Sequence, residues 1–141
     1  MEGSYHELLK KVANNKLERD GYALYVEPRE SPLEQLTWDY YRPDILGVSS
    51  SQLTLKIVIV ECETNPSMRR MKGKTSKLRR CFSLQKRLRE EYYLRLLLVI
   101  PPLKLRRVNG SIIRRSWEIW TVNKKGAIIY TIPPLYKIPA S

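Results

Sequence analysis

Residues 42–64, RPDILGVSSSQLTLKIVIVECET, decide how this chain folds. Two runs rich in Ile, Val, Leu and Thr, Asp44 to Ser49 and Leu53 to Glu63, flank the turn-prone Ser49, Ser50, Ser51 and Gln52, and predict a β-hairpin. If Asp44 lies opposite Glu61, the midpoint of the pairing falls at Gln52 and Leu53, beside the serines, so the register set by the turn also brings two carboxylates together. Side chains alternate along a strand, which puts Glu61 and Glu63 on the face of Ile57 and Ile59 and turns Val60 and Cys62 the other way.

Three carboxylates at one end of an apolar hairpin repel one another unless they are protonated or bridged by a cation. All-oxygen ligation favours Mg²⁺, with Mn²⁺ as its substitute, over zinc, and Mg²⁺ needs only one or two carboxylates when waters and substrate phosphate oxygens complete its shell. That combination suits hydrolysis of a phosphodiester.

Pro43 and Asp44, followed by Glu61, Cys62 and Glu63 at the end of the next strand, resemble the motif of the PD-(D/E)XK (restriction endonuclease-like) nuclease superfamily, in an ExE variant; the layout is similar to that of archaeal Holliday-junction resolvases. The resemblance implies an αβββαβ core with a mixed sheet flanked by helices. It also implies a Mg²⁺-dependent endodeoxyribonuclease that leaves a 5′-phosphate. Asp44, Glu61 and the backbone carbonyl of Cys62 would hold the metal, and Glu63 would orient or deprotonate water, or ligate a second metal. The usual lysine of the motif is replaced by Glu63. Some members supply the lysine from the following helix, and Lys77 is the candidate for that role, with surface exposure as its alternative. Members also use a glutamate of the first helix, which makes Glu7 a possible accessory ligand.

Composition fits such a reading. With 26 Lys+Arg against 14 Asp+Glu the net charge is +12, concentrated in the middle of the chain, and calls for an anionic partner. A hydrophobic share of 43% is enough to build a core, so a disordered basic tail does not explain the charge. At 141 residues one domain is expected, 1–141, with the nuclease-like core at about 4–100 and a hairpin and tail at 103–141. The longest apolar run, Leu96 to Pro102, is too short to span a bilayer. Cys62 and Cys81 with the lone His6 fall short of a zinc ligand set, so a cytoplasmic protein with buried thiols is expected.

In chain order, Ser4 to Asp20 predicts a helix with the apolar stripe Tyr5, Leu8, Leu9, Val12, Ala13 and Leu17, ended by Gly21. Ser4 and Glu7 match a capping box, and Glu7 falls opposite the stripe at ~100° per residue, while His6 lies nearer the sheet. Tyr22 to Glu27 predicts a strand, and 28–42 a long loop whose Trp38, Tyr40 and Tyr41 would pack or stack on bases. Residues 65–76 predict a mobile basic segment and 75–91 a helix. Arg69, Arg70, Lys72, Lys74, Arg79, Arg80, Lys86 and Arg87 form the candidate DNA-contacting set, because the sign is too uniform for a surface laced with ion pairs. Leu94 to Ile100 predicts a buried strand reached by a parallel crossover. Ile112–Val122 and Ala127–Ile132 predict a second hairpin about Asn123 to Gly126.

The residues leave two rival functions open. One is a non-catalytic DNA-binding module on a nuclease fold, in which Asp44 caps a turn and Glu61 and Glu63 pair with Arg80 or Lys56. The other is an RNA-processing nuclease. A homodimer would allow both strands of a duplex to be cut.

Overall fold

The computed structural model describes residues 3–29, 42–51, 54–83, 92–108 and 111–134. Helix α1 (Ser4–Arg19) leads into β1 (Ala23–Val26), β2 (Ile45–Ser51) and β3 (Thr54–Cys62), then α2 (Met68–Ser83), β4 (Tyr92–Ile100), a 3₁₀ helix (Pro102–Arg107), α3 (Ser111–Ser116), β5 (Trp117–Val122) and β6 (Ile128–Ile132). The strands form one six-stranded sheet in sequence order. β1, β2 and β3 pair antiparallel, β3, β4 and β5 run parallel, and β6 returns antiparallel. This is an α/β architecture, a mixed sheet flanked by helices, as the order of elements implies.

The hairpin register is the expected one. Ile45 faces Val60 and Ser51 faces Thr54, so the same ladder continued by one step sets Asp44 against Glu61. Gly47 makes the β1–β2–β3 contact close: a Cβ there would meet Val58 Cγ1 at 2.5 Å and Leu24 Cδ2 at 3.0 Å.

Alternation divides the core between the two faces of the sheet. Leu9, Ala13 and Leu17 of α1 cover Val58, Val60, Cys62, Leu97 and Val99, whereas Met71 and Leu78 of α2 cover Ile57, Ile59, Leu96, Leu98 and Ile100. β4 is therefore buried on both faces, which is why it reads as an unbroken apolar run. Trp117 Nε1 donates to Thr75 Oγ1 at 2.9 Å and fastens α2 to β5.

Several expectations are corrected. α2 begins at Met68, so 65–76 is not a mobile loop, and Arg69, Arg70, Lys72 and Lys74 stand on a helix. Gly73 obscures that helix in the sequence, but its start is marked by Ser67, whose hydroxyl accepts the Arg70 amide at 3.2 Å as an N-cap. Residues 111–116 are helical rather than the start of a strand. The C-terminal hairpin is not an appendage, because β5 pairs with β4 and buries Trp117, Ile119, Trp120 and Val122 in the two cores. α1 is capped by Gly3 without a side-chain bond, so Ser4 and Glu7 form no capping box. The sequence 30–41, with Trp38, Tyr40 and Tyr41, lies outside the described residues, as do Lys86 and Arg87 and the expected helical stretch 84–91.

Candidate active site

The chemistry gathers at the C-terminal ends of the parallel strands, where β3 delivers Glu61, Cys62 and Glu63 and β2 begins just after Asp44. Glu61 is 2% exposed and Glu63 6%, on the face covered by α2. Lys74 Nζ reaches both, at 2.7 Å from Glu61 Oε2 and 2.6 Å from Glu63 Oε1. Arg70, one turn earlier, stands 3.4 Å from Glu63 Oε1. Burial works to lower the Lys74 pKa, but the charge and hydrogen bond of Glu61, and then those of Glu63, outweigh it and leave the pKa raised.

The lysine at these carboxylates is thus Lys74, not Lys77, which is exposed. Helical geometry explains the difference. Lys74 follows Met71 by three residues and precedes Leu78 by four, so it shares their inward stripe. With a helix start at 75 in place of 68, that stripe is drawn from the wrong end.

Cys62 is held through its main chain on both sides. Its N–H donates to Asp44 Oδ2 at 2.7 Å, and its carbonyl lies 2.9 Å from His6 Nε2. A carbonyl only accepts, so this bond places the imidazole proton on Nε2. His6 Nε2 is also 3.8 Å from Asp44 Oδ2. The thiol itself is buried, and its pKa is pushed well above the usual value by burial first, then by the charges of Asp44, Glu61 and Glu63, with Lys10 acting in the opposite sense. That makes it an inert core group rather than a nucleophile.

Residues that sequence reasoning missed stand behind Asp44. Glu27 has φ of 45°, the left-handed region that a glutamate adopts only at a cost, and its amide donates to the Asp44 carbonyl at 2.8 Å. Lys10, 8% exposed, bonds Glu27 Oε1 at 3.0 Å and lies 3.6 Å from Glu7 Oε1. Arg42 Nε donates to the Glu27 carbonyl at 3.0 Å. The break in alternation at Glu27, followed by Pro28, was the available signal. Glu7 itself points outward, with 59% of its side chain exposed, so it stands off the carboxylate cluster.

Among the described residues, no group of three or more His, Cys, Asp or Glu side chains is arranged to hold a metal ion. The donors at the strand ends are Asp44, Glu61 and the Cys62 carbonyl. That oxygen-only set of two carboxylates and one main-chain group fits Mg²⁺, which leaves the rest of its shell to water and phosphate. Of the basic residues, Arg69 and Lys72 are exposed on α2; Arg79 and Arg80 are on the same helix, with side chains outside those described. No described helix is long and apolar enough to cross a membrane.

No protein-family model matches the chain, and no curated protein does. Among solved structures, it is similar to an XisH family protein from Nostoc punctiforme, with a TM-score of 0.51 and 13% identity over 89% of this chain and 98% of that one. A fdxN element excision controlling factor protein from Anabaena variabilis aligns over the same shares at 15% identity, with a TM-score of 0.46. The likeness to the first, at such low identity, concerns the fold alone.

Proposed function

We propose that this protein is a metal-dependent nuclease that hydrolyses DNA phosphodiester bonds. The observation that carries the reading is Lys74 Nζ between Glu61 and Glu63. The superfamily motif ends in a lysine, this chain has Glu63 in its place, and α2 brings an ammonium within 2.6 Å of Glu63 Oε1.

A divalent cation held by Asp44, Glu61 and the Cys62 carbonyl would supply Lewis acidity toward the scissile phosphate and acidify a bound water. The residues do the rest. Asp44, fixed by the Cys62 amide, and Glu61, fixed by Lys74, present their oxygens from adjacent strands without a rotamer search. Glu63 accepts the proton of the attacking water or orients it. An ammonium has three donors; two of those on Lys74 engage the glutamates, and the third serves a non-bridging phosphate oxygen as charge develops there. His6 holds the Cys62 carbonyl in position. Arg69 and Lys72 bind flanking phosphates, which makes affinity fall steeply with salt.

One observation favours a second reading, a DNA-binding module without catalysis: Glu61 and Glu63 already share a cation in Lys74, so the pair is electrostatically satisfied as it stands. Cleavage of labelled supercoiled plasmid, linear duplex, single strand, four-way junction and a matched RNA, with Mg²⁺ or Mn²⁺, decides between them. Metal-dependent nicking that disappears in Glu61→Ala supports the nuclease, and preference for the RNA would move it to RNA processing. Equal binding in chelator and in Mg²⁺, with no nicking on any substrate, leaves the binding module.

A further inference from the structure

The 3₁₀ helix after β4 has no part in the site described above, yet it stands beside it. β3 and β4 run parallel with Cys62 level with Val99, and Glu63 N–H donates to the Val99 carbonyl at 3.0 Å, so the chain leaving Ile100 emerges at the carboxylate end. Arg107 Nη1 then donates to Asn65 Oδ1 at 2.7 Å, two residues beyond Glu63. The element is firmly seated: Pro101 is buried, Pro102 opens the helix, Leu105 packs on the core and Val108 is fully buried. Lys104, Arg106 and Arg107 occupy its last turn, and Arg106 and Arg107 are exposed.

Among these cations stands Leu103, 92% exposed. Isolated apolar side chains on a surface are ordinary. This one follows Pro101 and Pro102 on an element anchored by the partly buried Leu105 and the buried Val108, and it shares its short helix with Lys104, Arg106 and Arg107. An exposed aliphatic side chain carried on the same short helix as three cations matches the way DNA-bending proteins insert a wedge between base pairs while cations hold the phosphates on either side. We infer that Leu103 is a wedge that enters the base stack of bound duplex DNA, with Lys104, Arg106 and Arg107 gripping the flanking phosphates. The inference rests on DNA being the substrate of the proposed nuclease and deepens it. The favoured substrate is DNA whose steps unstack cheaply, such as flexible pyrimidine–purine steps, mismatches or branch points.

The test uses the full chain in chelator, so that cleavage plays no part. A panel of duplexes carrying 2-aminopurine at successive positions is titrated with the native protein, Leu103→Ala and the triple variant Lys104→Ala, Arg106→Ala, Arg107→Ala, with binding followed separately by anisotropy. The native chain is expected to raise 2-aminopurine fluorescence severalfold at one or more positions. Leu103→Ala is expected to bind within about threefold of native and lose that rise. The triple variant is expected to bind about tenfold more weakly at fixed salt, with a shallower salt dependence. Duplex binding without a fluorescence rise, or a rise that survives Leu103→Ala, overturns the wedge and leaves the nuclease untouched. Absence of binding to DNA in any form overturns it too. Unstacking by a chain that never cleaves when metal is restored sustains the wedge and sinks the nuclease.

Discussion

Lys74 Nζ lies 2.7 Å from Glu61 Oε2, a contact between the inward stripe of α2 and the end of β3 that joins a cation to a carboxylate only 2% exposed. The bond ties the position of a helix to the charge state of a strand end, so removing Lys74 takes its ammonium from two buried carboxylates, whereas removing Glu61 leaves Lys74 on Glu63.

Lys74→Met therefore costs roughly 3 kcal/mol in stability, the scale for breaking a buried ion pair from one side. Cleavage falls about 100-fold or more if the ammonium also supports the developing phosphate charge. Lys77→Met, on the exposed side of the same helix, changes either quantity by no more than about twofold. Urea unfolding and single-turnover cleavage of the two variants compare the positions directly; equal effects would show that Lys74 has no special place.

His6→Ala removes one hydrogen bond to the Cys62 carbonyl, a loss of about 1 kcal/mol in stability. In the proposed nuclease the sharper effect is on metal use, since the carbonyl is no longer held. The Mg²⁺ concentration for half-maximal cleavage rises while duplex affinity in chelator is unchanged.

Alkaline pH destabilises the fold. The Cys62 pKa is raised above its usual 9.0 in the native state by burial and neighbouring carboxylates. In the unfolded chain that thiol ionises first, so above about pH 8.5 the unfolded state binds fewer protons than the native one and stability declines as pH rises. Below that value the contribution is fully present. Unfolding midpoints at pH 7, 9 and 10 show the decline, which is smaller in Cys62→Ala. Thiol reagents at pH 8 label Cys62 in a Cys81→Ser background only after unfolding.

Gly47→Ala drives a methyl to within 2.5 Å of Val58 Cγ1, with Leu24 Cδ2 at 3.0 Å. Overpacking between strands costs about 1–3 kcal/mol. The loss is read as a lower urea midpoint with an unchanged slope.

The hairpin was legible because strand alternation, the serine turn and the acidic ends all agree on one register, in which Ile45 faces Val60 and Asp44 comes level with Glu61. β4 was legible for a similar reason: a strand covered on both faces has no polar side to interrupt it. Other features depend on contacts distant in sequence. The early start of α2 rests on a Ser67 cap and on Met71 meeting the sheet, against the low helix propensity of Gly73. The six residues of α3 satisfy helix and strand patterns alike, and only packing against α2 and β5 selects one.

The sequence by itself determined the β2–β3 hairpin and its pairing register, which brings Asp44 level with Glu61, since these follow from local pattern and turn chemistry. Which lysine meets the glutamates, how His6 and Asp44 clamp the two sides of Cys62, and why Glu27 takes a left-handed conformation beside Asp44 were decided only by tertiary structure. Each depends on the rotation and depth at which a helix settles on a sheet. That is set by the summed packing of many side chains, and no local stretch of sequence encodes it.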